Sequence, residues 1–123
     1  MTAINSYRDL DVWQRSIDLA VKIYAITAGF PGSELYGLTN QIRRFVVSVA
    51  SNVAEGHSRS TKDFVRFLFI AKGSHLELET QLEIARRVGI SKSEESEEFS
   101  PKITIIGKQL NTLISRLKDQ VGT

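Results

Sequence analysis

Apolar residues recur every three or four positions in four segments of the chain, and glycine-containing stretches separate these segments. This spacing aligns apolar side chains along one side of an α-helix, whereas a half-buried β-strand would alternate at every second position. The interruptions lie at 29–33, 56–60 and 89–93, where glycine is combined with residues that cap helices. The pattern therefore predicts an all-α protein with helices at about 9–29, 35–56, 61–88 and 94–120.

The first segment is apolar over a wide arc, which contains two neighbouring stripes. One consists of Leu10, Trp13, Ile17, Ala20, Tyr24 and Thr27, and the other of Val12, Leu19, Ile23 and Ile26. Each later segment has one main stripe: Leu38, Ile42, Phe45, Val46, Val49 and Val53; Phe64, Phe67, Leu68, Ala71, His75, Leu78, Leu82 and Ala85; and Ile103, Ile106, Leu110, Leu113, Leu117 and Val121. We expect these stripes to meet in one core.

Two helix starts carry recognisable signals. Ser60 followed by Asp63 resembles a capping box, with Asp in place of Glu. The last helix has two alternative starts, because Ser100-Pro101 is typical of an N-cap and first-turn proline, whereas Ser93 precedes four glutamates that complement the helix dipole. We favour the earlier start, with a bend near Pro101. Short connections make neighbouring helices antiparallel, which predicts one up-down-up-down four-helix bundle over residues 1–123.

Length and cysteine content limit the class of protein. A chain of 123 residues buries roughly two thirds of its unfolded surface, so its core needs no disulfide or metal. The absence of cysteine excludes thiolate zinc sites and iron–sulfur clusters and fits a reducing compartment. Because residues 1–10 lack a signal-peptide core and no apolar stretch is long enough to span a membrane, we expect a cytoplasmic protein without membrane contact.

Charge is distributed unevenly along the chain. Sixteen basic and fourteen acidic residues leave a net charge of +2, too small for binding to nucleic acid through overall charge. Residues 41–72, however, hold six basic and two acidic residues, while residues 77–98 hold seven acidic and three basic ones. The candidate nucleic-acid contacts, here called the basic group, are Arg43, Arg44, Arg59, Lys62 and Arg66.

The basic group has two interpretations. Adjacent arginines on a helix point about 100° apart, so one of Arg43 and Arg44 can pair internally while the other faces outward. In one interpretation the group contacts phosphates. In the other, Arg43 or Arg44 pairs with Glu55 or with an acid of a neighbouring subunit and holds an oligomer together. We favour the second, because no aromatic stacking residues are interleaved as in proteins that bind single strands.

Several further residues are expected to have structural roles. Asn52 and Glu55 lie one turn apart near a helix C-terminus, where the dipole disfavours a carboxylate, so Arg59 is the expected partner of Glu55. Gly56 is predicted to end the helix at positive φ. Gly73 interrupts a strong helical pattern at a cost of about 1 kcal/mol, which favours a close approach of another helix over a tolerated surface glycine.

The chain shows no recognisable catalytic constellation. His75 falls in an apolar stripe and is expected to be hydrogen-bonded in the core or an interface, whereas His57 lies in a turn and is expected to be solvated. The paired Glu-x-x-His motifs of di-iron bundles, Gly-rich phosphate loops and zinc-helix motifs are not present. We therefore expect a protein that is not an enzyme, with no metal, cofactor or small-molecule substrate.

A wider set of motifs resembles a known family. The most specific are Gln41-Ile42-Arg43-Arg44 and Asn52-Val53-Ala54-Glu55-Gly56. They occur together with Asp9-Leu10, Val12-Trp13, Tyr24, Thr27, Phe30-Pro31, Glu34, Tyr36-Gly37-Leu38-Thr39, Ser48-Val49, Ser51, Phe67-Leu68, Ala71, Gly73-Ser74 and Glu77-Leu78-Glu79. Over residues from about 7 to 89, the chain resembles the bacterial four-helix-bundle family encoded in intervening sequences of large-subunit ribosomal RNA genes.

That resemblance implies assembly into a homopentameric ring. A related group, the accessory variability determinants of diversity-generating retroelements, is similar in fold and binds a reverse transcriptase and nucleic acid through basic surface. The first hypothesis is therefore a non-catalytic homo-oligomeric module that contacts RNA, DNA or a nucleic-acid-handling protein through the basic group. The alternative is a protein-interaction scaffold that binds no nucleic acid. Apolar residues outside a single stripe belong either to a broad buried arc of the bundle or to an exposed patch for self-association, and we favour self-association: Val12, Leu19, Ile23, Val47, Phe69 and Leu76.

Overall fold

The computed structural model describes residues 6–122, in which four α-helices and no strands occur. This confirms the predicted all-α class, while the expected domain limits, 1 and 123, lie outside the described residues. Short 3-10 helices at Tyr7–Asp9 and Gly32–Glu34 precede the first two α-helices. The α-helices are α1 (Asp11–Thr27), α2 (Leu38–His57), α3 (Thr61–Arg87) and α4 (Ser93–Gln120).

The helix starts depend on specific caps. Helix α2 begins at Leu38, later than the expected position near 35, because Gly32–Glu34 forms a separate turn. The Glu34 carboxylate then accepts a hydrogen bond from the Leu38 N–H at 3.2 Å. In α3 the Ser60 hydroxyl accepts from the Asp63 N–H at 3.3 Å, which confirms Ser60 as the N-cap. Such bonds satisfy N–H groups that have no partner within the helix.

Helix α4 confirms the earlier of the two predicted starts. It begins at Ser93, and Pro101 lies inside it. The Glu95 carboxylate accepts from the Lys92 N–H at 2.9 Å, and glutamates in the first turn complement the positive end of the helix dipole. The acidic run at the start of this helix therefore has a structural role in addition to its charge.

Of the two stripes predicted for helix α1, most of the second faces the core. The buried residues are Val12, Ser16, Leu19, Ile23 and Thr27. The expectation that Val12, Leu19 and Ile23 contribute to an exposed patch is therefore wrong. Two of the five buried residues are polar, but each hydroxyl donates to the carbonyl four residues earlier, at 2.7 Å in both cases. This internal bonding makes their burial tolerable, and hydrophobicity alone did not reveal it.

The other helices bury the stripes that were predicted for them. In α2 and α3 these residues include Ile42, Val49, Leu68 and Leu78, and in α4 they include Leu110. Helix α1 packs against α2 and α4, and α3 packs against the same two helices, so the core lies between all four. Among residues 6–122, no helix is both long enough and apolar enough to cross a membrane.

Two glycines have roles opposite to those predicted. Gly56 does not end α2 at positive φ but lies inside its last turn, where a Cβ would come within 2.6 Å of the Phe67 Cβ. The position therefore requires glycine because α3 approaches closely. Gly73, for which a close approach was expected, is exposed, and among the described residues no heavy atom outside its own stretch of helix lies within 4 Å of where its Cβ would be. The interpretation of Gly73 as a tolerated surface glycine is the correct one.

Candidate nucleic-acid interface

The five residues of the basic group form two separate sets in the structure. Arg59, Lys62 and Arg66, here called the connection cluster, surround the link between α2 and α3. Arg43 and Arg44 lie in the first half of α2, and thirteen residues separate Arg44 from the end of the helix. At 1.5 Å per residue, this corresponds to roughly 20 Å. The group is therefore not one continuous surface within the monomer.

The connection cluster is organised around one aromatic ring. The guanidinium carbons of Arg59 and Arg66 lie 5.2 and 5.1 Å from the centre of the Phe67 ring. Arg59 also pairs with Glu55 at 2.6 Å, as predicted, and Arg66 lies 3.8 Å from Asp63. An aromatic ring therefore accompanies two of the arginines, where it contacts their guanidinium groups. Phe67 follows them at helical spacing, and the apolar stripe in which it was counted concealed this role.

The charge of this cluster is partly compensated. Three basic side chains and the carboxylates of Glu55 and Asp63 leave a balance of +1. Lys62 is exposed, and among the described residues no ion pair involves it. Exposed ion pairs contribute about 0–1 kcal/mol, so a phosphate can compete for these cations. The stacked guanidinium groups keep N–H donors available for such a ligand.

Arg43 is fixed against α1, while Arg44 faces outward, as expected of adjacent helical residues. The Arg43 Nε donates to the Thr27 hydroxyl at 2.9 Å, and its guanidinium carbon lies 4.6 Å from the centre of the Tyr24 ring. Arg43 therefore does not pair with Glu55. Arg44 is exposed and has no ion pair within residues 6–122. It lines an open groove of about 500 Å³ together with Tyr24, Asn40, Arg43, Val47 and Ser48.

Asn52 and Trp13 have structural contacts. The Asn52 amide donates to the Ser48 carbonyl at 2.8 Å, and the Ser48 hydroxyl lies 2.8 Å from the Ser74 hydroxyl on α3. Asn52 thereby supports a polar link between α2 and α3. The half-buried Trp13 makes an edge-to-face contact with Tyr7, with 5.1 Å between ring centroids. It attaches the N-terminal 3-10 helix to α1.

The two histidines differ in environment. His75 is 3% exposed, and its Nε2 lies 2.8 Å from the Ile103 carbonyl oxygen, which confirms the expected hydrogen bond in the core. Burial lowers the pKa of His75, and the Nδ1 atom has no hydrogen-bond partner. His57 is not fully solvated as expected, because its half-buried ring lies edge-on to Phe64 with 5.6 Å between centroids. Within the described part of the chain, no group of three His, Asp or Glu residues could hold a metal ion.

A groove of about 600 Å³ between α3 and α4, here called the α3–α4 groove, was not predicted. Its residues come from the later part of α3 and the early part of α4, and the acidic run from 77 to 98 was its one indication. Arg86 and Arg87 donate to the Glu83 carboxylate and lower its pKa to about 2. The groove has an apolar floor and an acidic rim, and its lining consists of Glu79, Leu82, Glu83, Arg86, Ser96, Glu97, Phe99, Ser100, Pro101 and Ile103.

Comparison with known proteins agrees with the motif-based resemblance. A model of the 23S rRNA-intervening sequence protein family matches residues 8–112. A crystal structure of a protein of unknown function from the S23 ribosomal protein family of Bacteroides thetaiotaomicron VPI-5482 is similar, with a TM-score of 0.78 and 27% sequence identity. The similarity covers 85% of this chain and 95% of that one. No curated protein matches the chain. The family match includes α1, α2, α3 and α4 as far as Thr112.

Proposed function

Because this chain belongs to the 23S rRNA-intervening sequence protein family, we propose that it is a non-catalytic, homo-oligomeric module that binds RNA through the connection cluster. The observation that carries the proposal is that the guanidinium groups of Arg59 and Arg66 both lie against the Phe67 ring, with Lys62 exposed one helical turn before Arg66. Clustered guanidinium and ammonium groups suit contacts with the phosphates of a nucleic-acid backbone. The contact would depend on charge more than on base sequence.

We also infer that the helices alternate up and down and that copies form a ring. The up-down order is supported by two contacts between α1 and α4. In these contacts, residues later in α4 lie beside the start of α1, and residues early in α4 lie beside its end. Gln109 of α4 donates to Asp11 at the start of α1, whereas Glu98, early in α4, pairs with Lys22 near the end of α1. A ring of five copies follows from the family resemblance. Repetition of a weakly basic cluster around it would raise the affinity for one RNA through multivalency.

Binding of a fluorescently labelled structured RNA, followed by anisotropy, tests the proposal. The parent protein is compared with the double variant Lys62→Glu plus Arg66→Glu and with a matched control, Lys92→Glu plus Lys102→Glu. The control changes the net charge by the same amount, but at exposed lysines of α4 and its N-cap. We expect the first variant to bind at least about tenfold more weakly at 50 mM salt, while the control stays close to the parent. Binding by the parent should weaken steeply at 200 mM salt.

Light scattering on the same samples shows whether each protein keeps the mass of the parent oligomer. Equal losses in the two variants would point to general charge attraction and contradict a role for the connection cluster. An assembled parent that binds no RNA at 50 mM salt would contradict RNA binding and favour the alternative, a protein-interaction scaffold. That alternative is supported by the exposed apolar side chains of Tyr24 and Val47.

A further inference from the structure

The α1–α2 face and the α3–α4 face lie on opposite sides of the molecule. Helix α1 packs against α2 and α4, and α3 packs against the same two helices, which leaves these two faces back to back. Both carry exposed apolar side chains. On the first, Tyr24 and Val47 are 44% and 43% exposed, and on the second, Phe69 and Leu76 are 46% and 53% exposed. Neither face is covered within the monomer, and paired apolar patches of this kind mark association surfaces.

The two faces are also complementary in charge. Arg44 brings an exposed guanidinium without an ion pair to the α1–α2 face. The α3–α4 groove brings three carboxylates, from Glu79, Glu83 and Glu97, against the single guanidinium of Arg86. Glu83 is occupied by arginines of its own helix, whereas Glu79 and Glu97 have no ion pair among residues 6–122.

Uncharged acceptors add to the suitability of the groove for a guanidinium. Pro101 has no N–H, so the Glu97 carbonyl oxygen lacks the donor that a helix normally supplies four residues later. The hydroxyl oxygen of Ser96, another lining residue, is buried and has no hydrogen-bond partner. A guanidinium offers five N–H donors in a planar arrangement and can satisfy a carboxylate and a neighbouring oxygen together.

Arg44 and the acidic groove lie at the same level along the molecule. Arg43, the neighbour of Arg44, contacts Tyr24 near the end of α1. Lys22 lies in α1, half a turn before Tyr24, and pairs with Glu98 in α4. Glu98 is adjacent to Glu97 in the sequence. Two copies placed side by side with parallel orientation would therefore bring Arg44 of one copy opposite the groove of the next.

We propose that the α1–α2 face of one copy docks on the α3–α4 face of a second copy, with Arg44 inserted between Glu79 and Glu97. Because the two faces differ, the contact is head-to-tail, and repetition of it closes a ring when each copy is rotated by a fixed angle relative to the one before. Tyr24, held in place by Arg43, and Val47 then cover apolar surface beside the groove. This inference rests on the homo-oligomer of the proposed function and identifies the surfaces that form it.

Sedimentation velocity at micromolar protein concentration and 150 mM salt tests the docking. The variants are Arg44→Glu, the groove variant Glu79→Arg plus Glu97→Arg, and all three changes in one chain. Arg116→Glu is the matched control, because Arg116 is exposed and lines a separate groove between α1 and α4. We expect Arg44→Glu and the groove variant to assemble at least about thirtyfold more weakly than the parent, since each places like charges in the contact.

The triple variant should recover assembly, because it restores opposite charges across every contact, and the control should assemble like the parent. Circular dichroism confirms that each variant keeps its helices. An assembled parent whose mass is unchanged by Arg44→Glu would overturn the docking while leaving the homo-oligomer intact. A parent that remains monomeric would instead overturn the homo-oligomer, and the docking with it. The outcomes thus distinguish the two proposals.

Discussion

On the side of α3 that faces α2, the missing side chain of Gly56 lets the two helices touch directly, and a hydroxyl pair from Ser48 and Ser74 links them at 2.8 Å. On the side that faces α4, a groove of about 600 Å³ remains open near the acidic ends of the helices. His75 crosses this second contact by a hydrogen bond to the Ile103 carbonyl. One helix thus makes a closed contact and an open one.

The difference shows that side-chain size decides whether a helix contact within the bundle is closed, and contributes to stability, or open, and available for binding. Side chains at a helix contact set the distance between the helices, so a glycine brings them together and larger residues keep them apart. The closed α2–α3 contact positions Phe67 and, through it, the arginines of the connection cluster. The open α3–α4 contact leaves acceptors and apolar surface available to another molecule. The following predictions test this contrast.

The largest expected effect is on the closed contact. In Gly56→Ala, the new Cβ would lie 2.6 Å from the Phe67 Cβ and 2.9 Å from the Phe64 ring, so one helix must shift. We expect the free energy of unfolding to fall by about 1–3 kcal/mol, despite the higher helix propensity of alanine. Urea denaturation of the parent and the variant measures the change. Unaltered or increased stability would show that the two helices are not in close contact at this point.

The open contact should respond to pH. Burial lowers the pKa of His75 in the folded chain, and its bond to Ile103 and the charge of Glu79 oppose this only in part. The unfolded chain, with an ordinary histidine pKa of about 6.5, therefore takes up the proton first as pH falls. The stability contributed by neutral His75 is therefore complete above the pKa of the unfolded histidine. Below that pKa the free energy of unfolding falls by at most about 1.4 kcal/mol per pH unit, until the histidine of the folded chain is protonated as well.

Urea denaturation between pH 7.5 and 5 measures this dependence. We expect His75→Gln, whose amide can still donate to the Ile103 carbonyl, to show a shallower decline in stability with falling pH than the parent does. His57→Gln, at the α2–α3 end of the molecule, is the control and should keep the decline of the parent. A parallel decline in His75→Gln would assign the pH dependence to other groups.

The smallest expected effect is at Gly73, on the same helix as the two contacts but away from both. Among the described residues, no heavy atom outside its own stretch of helix lies within 4 Å of the Cβ position, so alanine fits there without displacing a neighbour. Because alanine favours the helix and restricts the unfolded chain, we expect Gly73→Ala to raise the free energy of unfolding by about 0.5–1 kcal/mol. A loss of stability in thermal or urea denaturation would indicate that another molecule approaches this glycine in the assembled protein.

The sequence by itself determined the four helices, most of their limits and the buried stripes of α2, α3 and α4. These features depend on local spacing, since residues three and four apart share a helix face wherever the helix lies. The Ser60 cap and the start of α4 at Ser93 were predictable for the same reason, because capping groups act within one turn. Glu55 and Arg59 are also four residues apart, and their pairing was correctly predicted.

The tertiary structure decided the roles that require a second helix. It assigned the close approach to Gly56 rather than Gly73, and it gave Arg43 the end of α1 as its partner. It also turned α1 so that Ser16 and Thr27 are buried, which a hydrophobic pattern cannot show because their hydroxyls bond within the helix. The α3–α4 groove exists only where two packed helices meet. Periodicity specifies which face of a helix is buried, but which atoms lie opposite that face depends on the rotation and separation of the packed helices.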